Sequence, residues 1–456
     1  MHDLAVRGGM VVTPYAAFSA DIGVDGETIV EVSEHVTGRH ELDATGKLVL
    51  PGVIDAHTHM ALPVSGTMSN DDFRTGSIAA AFGGVTTLID FTVGAPEHSI
   101  PEAIDRRKAE LSESVIDVAL HGEVVGWHAG REAEFREACE LGVTSFKFYT
   151  AYGASGRRST PPTMKAAFSA LAQLDALALV HCEDEGLIDS IVGRFPRERF
   201  AEMSALPEAR PAACEQSSVS QVGRIARQAG CRVHIVHLSS ALGLEALRAW
   251  VSWGAQLTAE TCPQYLVLTK TAYDGDEGHL FSAAPALRTE ADNEALWTGL
   301  RSRDIAFVAT DHCAFTREQK TWRGSFLDLP YGLPGVETLL PLLYSEGVAG
   351  GRLALTDIPR LLSQGPAQRY GLYPTKGAVE VGSDADLVVF DPDSDWTIAA
   401  TGLHMHTDFS PYEGRQLRGR VAATVSRGDV IVKAEEIQAQ PGRGRFVPCG
   451  VPGEVT

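Results

Sequence analysis

Short apolar runs alternate with longer stretches of helical spacing through the middle of the chain, roughly 53–374. The runs include Thr86-Thr87-Leu88-Ile89-Asp90, Val118-Ala119-Leu120-His121, Ser145-Phe146-Lys147-Phe148 and Ala178-Leu179-Val180-His181. Val233-His234-Ile235-Val236-His237, Gln256-Leu257-Thr258-Ala259-Glu260 and Ile305-Ala306-Phe307-Val308 continue the series. Nearly unbroken apolar runs of this length suit strands covered on both faces. Between them the spacing predicts helices over 164–174, 218–229 and 242–253. Repeated strand–helix units predict a (β/α)8 TIM-like barrel. A doubly wound open sheet is the other solution, but no G-x-G-x-x-G opens a helix.

The two ends of the chain follow a different rhythm. Leu4-Ala5-Val6, Met10-Val11-Val12, Ile22-Gly23-Val24 and Thr28-Ile29-Val30 are short runs punctuated by glycines and acidic residues, as in small antiparallel strands. The segments 385–390, 421–425 and 430–432 repeat that pattern near the C-terminus. The fold class expected is therefore α/β, with a barrel over 53–374 and a smaller β-sandwich domain built from 1–52 and 375–456.

Chemistry gathers at the ends of the predicted barrel strands. The apolar run 47–54 reads as a buried strand, and His57-Thr58-His59 lies at its end. Residues i and i+2 of an extended chain point the same way, so both imidazoles can reach one metal ion. Lys147, His181, His237 and Asp311 end further segments, and in a barrel such groups converge on one face. Imidazole and carboxylate ligands suit zinc and related divalent ions. Lys147 lies in the apolar run Ser-Phe-Lys-Phe-Tyr, where an unpaired ammonium is costly; its other reading is a lysine snorkelling to the surface. His234 reads as a packed or hydrogen-bonded histidine. His312 is open between ligand, substrate contact and orienting group, His121 and His128 carry no assigned role, and His404 and His406 are expected to be structural.

Composition narrows the function classes. Lys and Arg number 39 against 59 Asp and Glu, leaving a formal charge of −20, which argues against nucleic acid or an anionic membrane as partner. The 7 cysteines are scattered without a C-x-x-C, which suits a reducing compartment. The N-terminus lacks a basic region followed by an apolar one, and no apolar stretch reaches the roughly 18 residues of a membrane span. A cytoplasmic location is the expectation.

Taken together these segments resemble the cyclic amidohydrolases, most closely their hydantoinase/dihydropyrimidinase branch. The resemblance is carried by Pro-Gly-Val-Ile-Asp-Ala-His-Thr-His (51–59), the stretch 67–91, Ser-Phe-Lys-Phe-Tyr-Thr-Ala-Tyr (145–152), Val-His-Cys-Glu (180–183) and Val-His-Leu-Ser-Ser (236–240). Glu-Thr-Cys-Pro-Gln-Tyr-Leu (260–266), Thr-Asp-His-Cys (310–313), the stretch 381–392 and Ser-Pro-Tyr-Glu-Gly (410–414) extend it over essentially the whole chain. It implies two divalent metal ions, zinc by preference, bridged by a carbon dioxide-derived carbamate on Lys147. One ion would take His57, His59, the carbamate and Asp311; the other would take the carbamate, His181 and His237. It further implies that a hydroxide held between the ions opens a cyclic amide, with Asp311 shuttling the proton and Tyr152 donating to the oxyanion. A homotetramer is implied as well.

The same resemblance frames the substrate. Ala61 stands where dihydroorotases carry a carboxylate-binding arginine, and Gln264 where allantoinases often carry histidine. Both favour an uncharged hydantoin or dihydropyrimidine. Ala284 replaces a serine that contacts the ring through its backbone, and Pro334 lies in a loop that often holds the ring. Leu62 and Val64 replace a bulkier pattern and leave room for a ring substituent. The loop 153–163 is open between a lid and a passive surface segment. An allantoinase-like ureidohydrolase and a catalytically silent scaffold of the same fold are the alternatives.

Overall fold

The computed structural model describes residues 1–453 and 455. Among the described residues, eight parallel strands follow one another around the barrel in sequence order. They are β1 (Val53–Thr58), β2 (Val85–Phe91), β3 (Asp117–Glu123), β4 (Ser145–Tyr149), β5 (Leu177–His181), β6 (Arg232–Ile235), β7 (Leu257–Thr261) and β8 (Phe307–Val308). The ring closes beyond β8, where Thr58 bridges His312 and the His59 amide donates to the His312 carbonyl at 2.8 Å. Beneath that seam, Asp55 accepts from the Thr310 amide at 3.0 Å. The helices Pro161–Gln173, Ala212–Ala229 and Ala241–Ser252 stand where helical spacing predicts them. Asp72 and Ser99 cap the helices that follow β1 and β2, each with a reciprocal bond from the third helical residue.

Beside the barrel stand a four-stranded sheet of N-terminal strands and a seven-stranded sheet that strands from both termini share. One has the order Thr28–Ser33, Asp21–Asp25, His2–Arg7, Gly38–Asp43. The other runs Glu436–Ile437, Asp429–Lys433, Gln416–Ser426, Leu387–Thr397, Leu48–Pro51, Met10–Val12, Ala17–Ser19. Alternation along a strand lets this second sheet serve two cores. Val49, Leu387 and Val389 face the four-stranded sheet and pack with Leu4, Val6, Ile22 and Leu42. Leu48, Leu50, Val388 and Phe390 face the other way, into the core around the barrel.

Two features depart from the sequence pattern. The run 47–54 is not one strand but two: Leu48–Pro51 joins the terminal sheet and Val53–Thr58 opens the barrel. The break falls at Gly52, whose amide donates to Asp386 O at 2.7 Å and where any Cβ would run into Thr86. The C-terminal segment also leaves the terminal sheet. Val118 N donates to Arg445 O, Val447 N to Val118 O, and Cys449 N to Gly142 O, so the chain returns beneath the barrel. There Cys449 packs with Tyr370, Leu372, Leu177 and Ile54 and closes the barrel floor. Among the described residues no helix is long and apolar enough to cross a membrane.

Candidate metal centre

His57 is the penultimate residue of β1, and His59 follows one residue beyond the strand. Both present Nε2 to one oxygen, Asp311 Oδ1, at 3.1 and 3.2 Å. The other nitrogen of His57, Nδ1, donates to Glu260 Oε1 at 2.5 Å, so Nε2 is left with its lone pair exposed to the group. That Nε2 is buried and makes no hydrogen bond. Two imidazole lone pairs and a carboxylate oxygen turned onto one point form a donor set for a cation, and these three residues fit a divalent ion. Burial works against the charge on Asp311, but His57 and His59 hold its carboxylate well below the usual range.

A second pair of histidines stands beside the first. His181, the last residue of β5, turns Nδ1 toward His237 Nε2 at 2.9 Å. Its own Nε2 donates to Glu183 Oε2 at 2.9 Å, again leaving the inward nitrogen open. The rings of His57 and His237 are 5.5 Å apart, which joins the two groups into one centre. Lys147 rises from the middle of β4 and is 1% exposed, with Nζ 4.7 Å from the Phe91 ring. It makes no ion pair among the described residues. Burial lowers its pKa to about 8, so the neutral amine that can react with carbon dioxide is accessible near neutral pH.

The backbone turns sharply where these side chains are delivered. His237, Asp311 and Tyr152 have φ of 41°, 54° and 68°, in the left-handed region that non-glycine residues avoid. Each position costs on the order of 1–3 kcal/mol, and such strain concentrates at functional sites. Tyr152 places its ring 5.0 Å from that of His181, and burial raises its phenol pKa, keeping the hydroxyl a donor.

The remaining sequence candidates occupy loops around this face. Leu62 N donates to Ser69 Oγ at 2.8 Å, and Ser69 Oγ donates to the His59 carbonyl. Val64 pairs with Thr67 in a small hairpin. Pro334 is buried and precedes Gly335, whose amide donates to His312 Nδ1 at 3.1 Å. Ala284 lies two residues past Ser282, whose carbonyl accepts from Gly332 N. The loop 153–163 is tied down by Arg157 to Glu123 at 2.8 Å and Arg158 to Glu185 at 2.9 Å. The other histidines are occupied elsewhere: His234 by Thr258 and Glu260, His121 by Ser145 and the Ala56 carbonyl, His312 by Asp71. His128 pairs with Glu134, and His404 with Glu337 while stacking on Phe82.

The carboxylates behind the imidazoles, Glu260 and Glu183, are not marked by any local pattern of ligand spacing. Glu183 was within reach, two residues past His181 and so on the same side of an extended chain. Glu260 is the penultimate residue of its strand, and its partner His57 is 203 residues away.

The amidohydrolase family profile matches residues 48–431. The D-hydantoinase of Streptomyces coelicolor is 34% identical, with 97% of each chain covered. The D-phenylhydantoinase of Escherichia coli is likewise 34% identical over 97% of both chains. The crystal structure of a dihydropyrimidinase from Brevibacillus agri superposes with a TM-score of 0.96 at 31% identity, covering 99% of both chains.

Proposed function

Because the chain belongs to the amidohydrolase family, we propose that it opens hydantoin- or dihydropyrimidine-type rings at a centre of two divalent metal ions. The observation that carries this reading is the convergence of His57 Nε2 and His59 Nε2 on Asp311 Oδ1, in a chain similar throughout its length to hydantoinases. His57, His59 and Asp311 would hold one ion, His181 and His237 the other, and a carbamate on Lys147 would serve both. Zinc suits this set of imidazole and oxygen donors. When bound, such ions supply Lewis-acid activation of water and of the ring carbonyl near neutral pH.

The chain's own residues do the rest. Asp311 turns Oδ1 to the histidines, leaving Oδ2 to take up a proton and return it to the departing ring nitrogen. The Tyr152 hydroxyl donates to the oxygen that gains charge as the carbonyl is attacked. Ala284 and Pro334 border the ring, and Leu62 and Val64 border its substituent. A cytoplasmic homotetramer, with a β-sandwich domain of 1–52 and 375–456 packed against the barrel of 53–374, completes the proposal. The likeness to named hydantoinases and the complete donor set leave an allantoinase-like activity or a silent scaffold without support of its own.

The test is ring opening by zinc-loaded protein with bicarbonate, before and after chelation, on hydantoin, a 5-aryl hydantoin, dihydrouracil, allantoin and dihydroorotate. Chelator-sensitive opening of hydantoins or dihydrouracil is expected. Opening of allantoin alone, or no turnover with two ions bound, would overturn the substrate assignment.

A further inference from the structure

Behind the second histidine pair lies a guanidinium that touches two parts of the centre at once. Arg210 sits between the short helix Leu206–Ala209 and the long helix Ala212–Ala229. Its Nε donates to Glu183 Oε1 at 3.0 Å and its Nη2 to Glu183 Oε2, a two-point grip on the carboxylate that receives His181 Nε2–H. The guanidinium carbon, Cζ, of the same group lies over the Tyr152 ring, 5.5 Å from its centre, and 6.0 Å from that of Tyr331. The backbone of Arg210 is itself clamped, its carbonyl accepting from Arg288 Nη1. Arg288 Nε also reaches Ser239 Oγ at 3.1 Å, two residues past His237.

We infer that Arg210 is a positioning residue that ties the second metal-binding pair to Tyr152. Through Glu183 it fixes which nitrogen of His181 stays open, since a carboxylate gripped at both oxygens can accept the ring N–H in one orientation. Through its charge over the Tyr152 ring it holds that ring against the same side of the centre, since a cation over an aromatic face is favoured. Tyr152 stands in the left-handed region, with φ of 68°, a conformation that persists where its surroundings hold it. A carboxylate–histidine contact alone would orient the ligand; the added guanidinium makes the ligand and the phenol move together. The inference rests on the roles proposed above for His181 and Tyr152.

Arg210→Met removes both contacts, and Arg210→Lys keeps the charge but loses the two-point grip on Glu183. With both variants folded by circular dichroism, zinc competition against a graded chelator should show one of the two ions held roughly 10–100-fold more weakly, the range for lost support behind a ligand. Glu183→Gln should reproduce that loss. At saturating metal, kcat should fall with KM within about threefold, as for an interaction made in the transition state. Tyr152→Phe should then cost far less in the Arg210→Met background than in the wild type. If Arg210→Met does not fold, Arg210→Lys is read by the same two measures. Wild-type affinity for both ions, or a Tyr152→Phe penalty that multiplies undiminished, overturns the inference. Failure of the parent reading looks different: a wild-type protein that binds fewer than two ions or opens no ring, which takes this inference with it.

Discussion

Single side chains at this centre are defined by what stands behind them. His57 keeps Nε2 free because Glu260 takes Nδ1, and Glu260 is itself steadied by His234 at 3.2 Å. Glu260→Gln should therefore weaken the ion at His57 and His59 by roughly 10–100-fold in a chelator titration. Lys147→Ala should lose bound metal and turnover together, with partial rescue by small carboxylates; full occupancy with normal turnover would refute the bridge. Tyr152→Phe should lower kcat by about 10²–10³, the usual effect of losing one oxyanion donor. Lys320 offers a test away from the metals. It is buried, donates to the Ser282 carbonyl at 3.0 Å and hydroxyl at 2.7 Å, and burial lowers its pKa to about 7. The unfolded lysine titrates near ~10.4, so between those values the unfolded chain binds more protons at this site and Lys320's own contribution to stability rises with pH. The gain from pH 7 to 10 is on the order of 4 kcal/mol, and Lys320→Met should remove that slope in urea unfolding measured across the range.

At the scale of elements, strand ends deliver the chemistry and strand starts carry the structure. β1, β5 and β6 end in or lead directly to histidines, and the turns after β6 and β8 bend through positive φ at His237 and Asp311. These positions lie at the carboxyl-terminal rim, the face on which barrel enzymes assemble their sites. The opposite rim depends on close approach. At Gly52 the chain leaves the terminal sheet and enters β1 in one residue, with Thr86 Cγ2 and Asp386 Cβ 2.8 and 2.9 Å from where a Cβ would stand. Gly52→Ala should destabilise by about 1–3 kcal/mol, the range for forcing a methyl into a filled site. An unchanged urea midpoint would show that the two strands can part without loss. Periodicity made nearly all barrel strands legible, but it could not place this break, because Leu48–Leu50 and Val53–Ile54 are equally apolar.

Across the whole molecule, a buried ion cluster joins the barrel to the terminal sheets. Lys376 Nζ lies 2.9 Å from Asp117, which opens β3, and 2.8 Å from Asp386 beside the terminal strand Leu387–Thr397. Arg427 reaches the same Asp117 at 3.1 Å. Burial opposes the charge on Lys376, but the three aspartates around it raise its pKa well above the usual lysine value. That stabilisation is complete below the unfolded lysine value near ~10.4 and is lost only as pH rises through the folded one. Lys376→Met strands buried carboxylates and should cost about 3–5 kcal/mol across the neutral range, read from urea unfolding at pH 7 and 8. The alternation of strand and helix, the barrel class, the β-rich ends and the placing of His57, His59, Lys147, His181, His237 and Asp311 in or just past apolar strand runs are legible in the chain's own pattern. Each of these is written in residues a few positions apart, where strand geometry and apolar spacing act directly. The closed fold is what splits 47–54 between two sheets, brings the chain back to close the barrel floor, and sets Glu260 behind His57 and Arg210 behind Glu183. Those choices join residues up to hundreds of positions apart, and their partners are selected by the shape of the closed barrel, which no local pattern encodes.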